Sequence, residues 1–319
     1  GGIITAIEPY PGPPDRWIVP AFFNAHTHLG DTVAMDLPAR GSLAELVKPP
    51  DGLKHRILAA TPRADLVRGM RSSITTMIAT GTAGFADFRE GGAAGVAALR
   101  EAAAGLDCRP VILGREGGER VSDGAGISSV HDVKNAEEVV REARKIGRIV
   151  AFHAGEKNPD DIDDALAFDP DLLVHCTHAT DAHLRRIVDA GIPIAVCPRS
   201  NWVLGVAASP AHPPIARILE LGGRFLLGTD NVMFVQPDML REMAFTATVY
   251  RAPPGEVLRA AIAGATLAGR TGYLEIGQDA RMLVVNPAKG NLSFSRDIRA
   301  TIVKRLDSSS IKQNVLTLQ

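Results

Sequence analysis

The sequence predicts an α/β protein: a (β/α)8 TIM barrel beside a small β-sandwich-like domain built from both chain ends. Three observations predict it. Short apolar runs alternate with helix-like stretches, eight such runs can be counted, and ionisable residues gather where the runs end. Alternation of this kind implies a parallel sheet. Closed on itself, that sheet is a barrel whose chemistry sits at the C-terminal strand ends. A doubly wound open sheet is the alternative.

The first run is "WIVPAFFNAH" (17–26). The next are "AGFADF" (83–88), "RPVILG" (109–114) and "GAGISS" (124–129), the weakest of the eight. "RIVAFHA" (148–154), "LLVHCTH" (172–178), "PIAVCP" (193–198) and "RFLLGTD" (224–230) complete the set. Helix patterns lie between them at 135–147, 181–191 and 214–223. Asn135 and Asp181 read as N-caps, and Gly147, Gly191 and Gly222 as C-terminal stops. Two further helical stretches, 237–250 and 253–269, follow the eighth run. "IGQDARMLVVNP" (276–287) then reads as a turn and a strand that can pair with the N-terminal "GGIITAIEP". The division expected is a barrel over 20–274, a small β domain from 1–19 and 275–306 that is incomplete at its N-terminus, and a loosely held tail over 307–319.

Composition narrows the function. The chain has 319 residues, 45% hydrophobic and 22% charged, enough for a large buried core. A net charge of −1 provides no basic field for nucleic acid or anionic membrane. No apolar run reaches the roughly 18 residues a membrane span needs. No signal peptide is visible, and the chain starts at Gly1 without a methionine. The three cysteines, Cys108, Cys176 and Cys197, show no CxxC spacing and read as reduced residues of a cytoplasmic protein.

The strand ends carry the chemistry. In "FNAHTHLGD", from Phe23 to Asp31, His26 and His28 are two apart and project to one face of a strand. Two adjacent imidazoles have four ring nitrogens to satisfy, which suits a shared metal better than core filling. Surface histidines beside a turn are the bland alternative. The fifth run ends in His153, followed by Glu156, the sixth in His175 with His178 behind it, and the eighth in Asp230. His26, His28, His153 and Asp230 make three imidazoles and a carboxylate, a set suited to Zn2+ or Fe2+. Such an ion lowers the pKa of a bound water toward ~7. Glu156 is placed to move protons, His175 to orient the water or polarise the bond attacked, and Asp230 to accept a proton as well. His55, His131, His183 and His212 lie in helical or loop sequence and read as surface or structural. There is no P-loop, HExxH or G-x-S-x-G elbow, and "GAGISS" lacks the third glycine of a dinucleotide fingerprint.

These residues resemble the amidohydrolase superfamily, and within it the cytosine deaminase-like branch that includes guanine deaminase, S-adenosylhomocysteine deaminase and the triazine chlorohydrolases. "PAFFNAHTHLGD" is similar to the family's opening P-G-F-x-x-x-H-T-H, although Ala21 stands where glycine is usual. "HAGE" resembles its strand-5 H-A-x-E, and "VHCTHATDAHLRRIVDAGIPIAVCPRSN" its HC-x-H and CP-x-SN signatures. "LLGTDN" is similar to the strand-8 G-T-D and "IGQDARMLVV" to the returning strand of the small domain. The resemblance covers nearly the whole chain.

The resemblance implies one divalent ion, zinc first and Fe2+ or Mn2+ next, on His26, His28, His153 and Asp230. It implies Glu156 as proton shuttle and His175 beside the attacked carbon. Candidate strands 2 to 4 end without a lysine to bridge two metals; the nearest, Lys134, lies past strand 4. The expected reaction is hydrolytic deamination of an amino-substituted purine, pyrimidine, pterin or triazine. Cyclic amide hydrolysis, dechlorination and a non-catalytic ligand-binding barrel are the alternatives. The partner expected is a small-molecule substrate, with specificity in the loops after strands 2, 3 and 7: Arg89, Arg115, Glu116 and Arg120 as polar contacts and Trp202 as a stacking surface. His178, behind the sixth strand, is a further candidate contact. A homodimer is common in the family, and no surface stripe here marks one.

Overall fold

A computed structural model, describing residues 2–9, 11–12, 15–37, 41–49 and 51–312, divides the first apolar run at Ala21. Trp17–Pro20 is β1 and Phe22–His28 is β2. The two belong to different sheets: Ala21 N still donates to Arg281 O, and Phe22 N donates to Gly81 O. One hydrophobic run thus serves two structures, which apolarity alone does not reveal.

The parallel strands follow as β3 (Thr82–Arg89), β4 (Arg109–Gly114), β5 (Gly124–Ile127), β6 (Ile149–Ala154), β7 (Leu172–His175) and β8 (Ile194–Val196). The eighth predicted strand is broken into β9 (Phe225–Leu227) and β10 (Asp230–Asn231). The break closes the barrel. β9 pairs with β8, and β10 pairs with β2 through Asp230↔Thr27 and Asn231↔His28. Gly228 sits at the break because a Cβ there would lie 2.7 Å from His26 Cβ.

The helices are α1 (Leu43–Val47), α2 (Leu53–Ala60), α3 (Arg63–Ala79), α4 (Gly92–Ala103), α5 (Ala136–Lys145) and α6 (Ile162–Leu166). After them come α7 (Asp181–Asp189), α8 (Pro198–Val203), α9 (Ile215–Glu220), α10 (Met239–Val249), α11 (Pro254–Ala263) and α12 (Ile298–Arg305). Their apolar faces supply the outer core. Val140, Leu184, Ile187, Ile218 and Val257 join alternate strand residues such as Val150, Phe152 and Leu173. The intervening residues Ala151, Leu172, Val174 and Ala195 join Phe88, Leu113 and Leu226 in a separate cluster. This is the period-two alternation of strands covered on both faces.

Helix punctuation was legible to within a residue. Gly147, Gly191 and Gly222 take φ of 64°, 70° and 77°, the left-handed stop. Asn135 stands at the N-cap position, though its side chain makes no capping bond. Asp181 is the first helical residue rather than the cap: Thr180 caps α7 and forms a capping box with His183.

The chain ends form a three-stranded antiparallel sheet in the order β1-β11-β12, with β11 at Met282–Val285 and β12 at Ile311–Lys312. The N-terminal stretch lies against the turn before β11, through the bridge Ile3↔Asp279 and backbone bonds of Gly2 and Ile4 to residues 277–280. The expectation of a loose tail fails at its start. Asp307 caps a turn, and buried Ile311 pairs with Val285. Residues 313–319 lie outside the described residues.

One buried pair gives a pH prediction. Glu242 of α10 is fully buried, 2.9 Å from Arg199 Nε, and accepts from Arg199 N at 3.0 Å. Burial pushes its carboxyl from 4.5 up to about 7, against the pull of Arg199. Between those values the folded state holds a proton that the unfolded chain has lost, so this group's contribution falls as pH rises through that window. The decline is about 3 kcal/mol. We expect urea unfolding between about pH 5 and 7 to show this slope and Glu242→Gln to flatten it. An unchanged slope in the variant would remove Glu242 as its source.

Candidate active site

Four strand ends bring five residues together. β2 brings His26 and His28, β6 brings His153, β7 brings His175 and β10 brings Asp230. The His26 ring centroid lies 4.9 Å from that of His28, 4.8 Å from His153 and 5.6 Å from His175. Backbone irregularity aims them. Pairing of β2 with β3 shifts register between Asn24 and Thr27, at the histidine pair. His175 has the strand parity of Leu173, which packs on the helix layer. Left-handed backbone at His175 (φ 72°) and Cys176 (φ 46°) ends the alternation there, and the ring lies 5.4 Å from that of His153. Asp230 is left-handed too, at φ 62°. Each such non-glycine conformation costs of order 1–3 kcal/mol, which surrounding bonds must sustain.

Those bonds are present. Asn24 Nδ2 donates to Thr229 Oγ1 at 2.7 Å, and Thr229 N donates back to Asn24 Oδ1 at 3.0 Å, fixing the turn before Asp230. Ser200 Oγ donates to Asp230 Oδ2 at 2.6 Å. Thr27, between the two histidines, donates toward Asp87 Oδ2 at 3.0 Å, and Leu29 N donates to the same oxygen at 2.7 Å.

The protons on the rings decide what the cluster can hold. His153 Nδ1 lies 3.1 Å from Ile127 O, which can only accept, so that nitrogen carries the proton. Arg115 Nη2 stands farther from it, at 3.4 Å. His28 Nδ1 faces Glu90 Oε1 at 2.9 Å and carries its proton likewise. Both Nε2 atoms then present lone pairs, yet they face each other at 3.4 Å. His26 Nε2 is 3.2 Å from Asp230 Oδ1 without forming a hydrogen bond, and both of its ring nitrogens are buried and unsatisfied. Acceptors crowded together with no proton between them repel unless a cation joins them. The residues therefore fit a divalent ion. Burial pushes His26 down to about 4 and His28 and His153 well below the usual imidazole range, so the rings are neutral, the ligating form. Burial opposes the charge on Asp230, but contact with His26 and the nearby His175 and His28 hold its carboxyl well below its ordinary value.

Glu156 and His175 sit beside this set. His175 Nδ1 meets Asn201 Oδ1 at 3.2 Å, which turns its Nε2 toward Glu156 Oε1, 3.7 Å away. Burial raises the Glu156 carboxyl, against the pull of His175. All of these groups but His26 line a cavity of about 310 Å3, together with Arg115, Lys54, Leu43, Val47 and Leu204.

The remaining sequence candidates separate. Arg115 lines the cavity. Arg89 is buried away from it, paired with Asp87 and Glu90. Glu116 accepts from Gly91 N, Trp202 donates to Tyr250 Oη, and His178 bonds Val206 O. None of these four lines the cavity, nor does Arg120. His131, read as peripheral, stands at the cavity wall and bonds Asp164. The covering segment comes from α1 and α2, after the first barrel strand, and from Ser128–Asp132 and Glu156–Asp161. Of the residues expected in the loops after strands 2, 3 and 7, Arg115 lines the cavity and Arg89, Glu116, Arg120 and Trp202 do not.

Two residues escaped the sequence reading. Lys54 of α2 is 3% exposed, with Nζ 2.9 Å from Asp31 Oδ2 and 2.8 Å from Glu90 Oε1. Unlike Lys134, it lines the cavity beside the metal donor set. Burial works against its charge, but Asp31 and Glu90 outweigh it and raise its pKa, so it stays cationic. Glu90, one residue past β3, orients His28. Only the bare presence of an acid at a strand end marked it in sequence. We expect Glu90→Ala to weaken metal binding about 10- to 100-fold and to destabilise the fold by about 3–5 kcal/mol, since Lys54 and Arg89 lose a buried partner. Metal titration against a competing chelator, with urea unfolding, measures both. Unchanged metal affinity would remove Glu90 from this role.

Comparison with known proteins follows the same outline. The amidohydrolase family model matches residues 17–123, and the adenosine deaminase model matches 123–268. A putative aminohydrolase of Methanothermobacter thermautotrophicus is 36% identical over 92% of this chain and 84% of its own length. A 5-methylthioadenosine/S-adenosylhomocysteine deaminase of Moorella thermoacetica is 24% identical over 93% of this chain and 79% of its own. Among solved structures, an adenosine deaminase from Xanthomonas campestris with bound zinc superposes with a TM-score of 0.71 at 17% identity, over 93% of this chain and 78% of that one.

Proposed function

This chain belongs to the amidohydrolase superfamily, and from that premise we propose that it is a metal-dependent hydrolytic deaminase of an amino-substituted nitrogen heterocycle. The observation that carries the reading is the set of facing imidazole lone pairs and one carboxylate, with Glu156 beside it. His26, His28, His153 and Asp230 would hold the ion, which we take to be zinc. Its chemistry there is to make water nucleophilic near neutral pH. Three buried, unpaired cysteines suit a reduced cytoplasmic setting, and among the described residues no helix is long and apolar enough to cross a membrane.

The chain's own groups do the rest. Glu156 takes the attacking water's proton and delivers it to the ring nitrogen next to the carbon that bears the amine; the water's second proton passes to the amine, and the C–N bond breaks to release ammonia. Burial raises the Glu156 carboxyl above the ordinary value, which favours proton uptake from the water. His175, held by Asn201, directs Nε2 at the reacting centre. Asp230, fixed by Ser200, is the second group able to accept a proton. Leu43, Val47 and Leu204 supply apolar wall against a planar ring and limit bulk water.

The test is ammonia release from aminated purines, pyrimidines, pterins and triazines by protein of measured metal content. Ammonia from one ring class is the expected result. A ring-opened acid without ammonia, from cyclic amides, would replace deamination by amide hydrolysis.

A further inference from the structure

We propose that the substrate carries an acidic group, a carboxylate or a phosphate, held by Lys54, Arg115 and Lys157. The inference deepens the deaminase reading and rests on it. The cavity wall carries four basic side chains, Lys48 besides those three, and four acidic ones, Asp132, Glu156, Asp161 and Asp230. The acids are engaged. Lys48 pairs with Asp132 at 2.8 Å. Asp161 accepts from Gly155 N at 2.8 Å and Ser129 Oγ at 2.6 Å. Asp230 belongs to the metal donor set, and Glu156 is committed to proton transfer.

The bases are not saturated. The Lys54 ammonium has three donors and two partners, Asp31 and Glu90. Arg115 gives Nε to Gly126 O at 2.8 Å, while Nη1 stands 3.7 Å from Glu90 Oε1, beyond hydrogen-bond reach. Its guanidinium edge therefore keeps donors for a two-point contact with a carboxylate or phosphate. Lys157 is exposed at the mouth, with no carboxylate at ion-pair distance among the described residues. Asp31 and Glu90 already balance the charge of Lys54, and a divalent ion offsets the carboxylates around it. The unfilled donors then lie chiefly on Arg115 and Lys157, on partly desolvated walls. A neutral ligand would leave those donors unmatched, and an anion would satisfy them.

The experiment compares matched pairs on the zinc-loaded protein: adenosine with adenylate, guanosine with guanylate, cytidine with cytidylate, and pterin with its carboxylate. Binding is measured by calorimetry and turnover by ammonia release. We expect at least one acidic member to bind about tenfold or more tighter than its neutral partner, with the advantage shrinking as KCl rises from about 50 to about 500 mM. Which pair shows it separates phosphate from carboxylate. Arg115→Gln should reduce the preference through KM. Should that variant misfold, Lys157→Ala at the exposed mouth tests the same wall, and an undiminished preference there removes Lys157 from it. Equal Kd for both members of every pair overturns the inference, whether or not ammonia forms. Ammonia without preference leaves the deaminase reading standing. Preferential anion binding with no ammonia from any compound overturns the deaminase reading and keeps the inference.

Discussion

Glu156→Gln is expected to leave a folded, metal-loaded protein whose ammonia release falls about a thousandfold. The amide preserves shape and can still accept a hydrogen bond, but it cannot shuttle a proton at neutral pH. The side chain is 20% exposed at the cavity wall and contacts His175 at 3.7 Å without belonging to the three-imidazole set. Its loss should therefore leave metal stoichiometry near that of the parent. Metal content and turnover measured on one sample make the check. Near-normal kcat would end the proton-shuttle role. Loss of the ion would move Glu156 into the metal set instead.

His26→Ala is expected to abolish metal binding and, with it, turnover. His26 is fully buried, with both ring nitrogens unsatisfied in the protein alone. A buried imidazole in that state costs stability unless a ligand uses it. Bound metal stabilises the parent by linkage, about 4 kcal/mol when free metal is a thousandfold above Kd. A chelator should therefore lower the unfolding midpoint of the parent and leave that of the variant where it is. A variant that keeps one equivalent of metal, or a parent indifferent to chelator, would contradict the assignment.

Much of this was legible in one dimension. Apolar runs of strand length, bounded by glycines in helix-ending conformations, revealed the parallel sheet because each strand is buried on both faces and reads as a local pattern. His26, His28, His153, His175 and Asp230 stood out because each ends such a run, and ends of parallel strands share one face of a barrel. Tertiary structure alone decided the rest. It assigned Trp17–Pro20 and Phe22–His28 to different sheets, paired Ile311 with Val285, and split the last strand so that Asp230 meets β2. It also brought Lys54 to Glu90, and Glu90 to His28. The reason is physical. Burial and hairpin-scale geometry impose periods of two or 3.6 on neighbouring residues, whereas a buried ion pair between a covering helix and a strand end joins two isolated positions that no period connects.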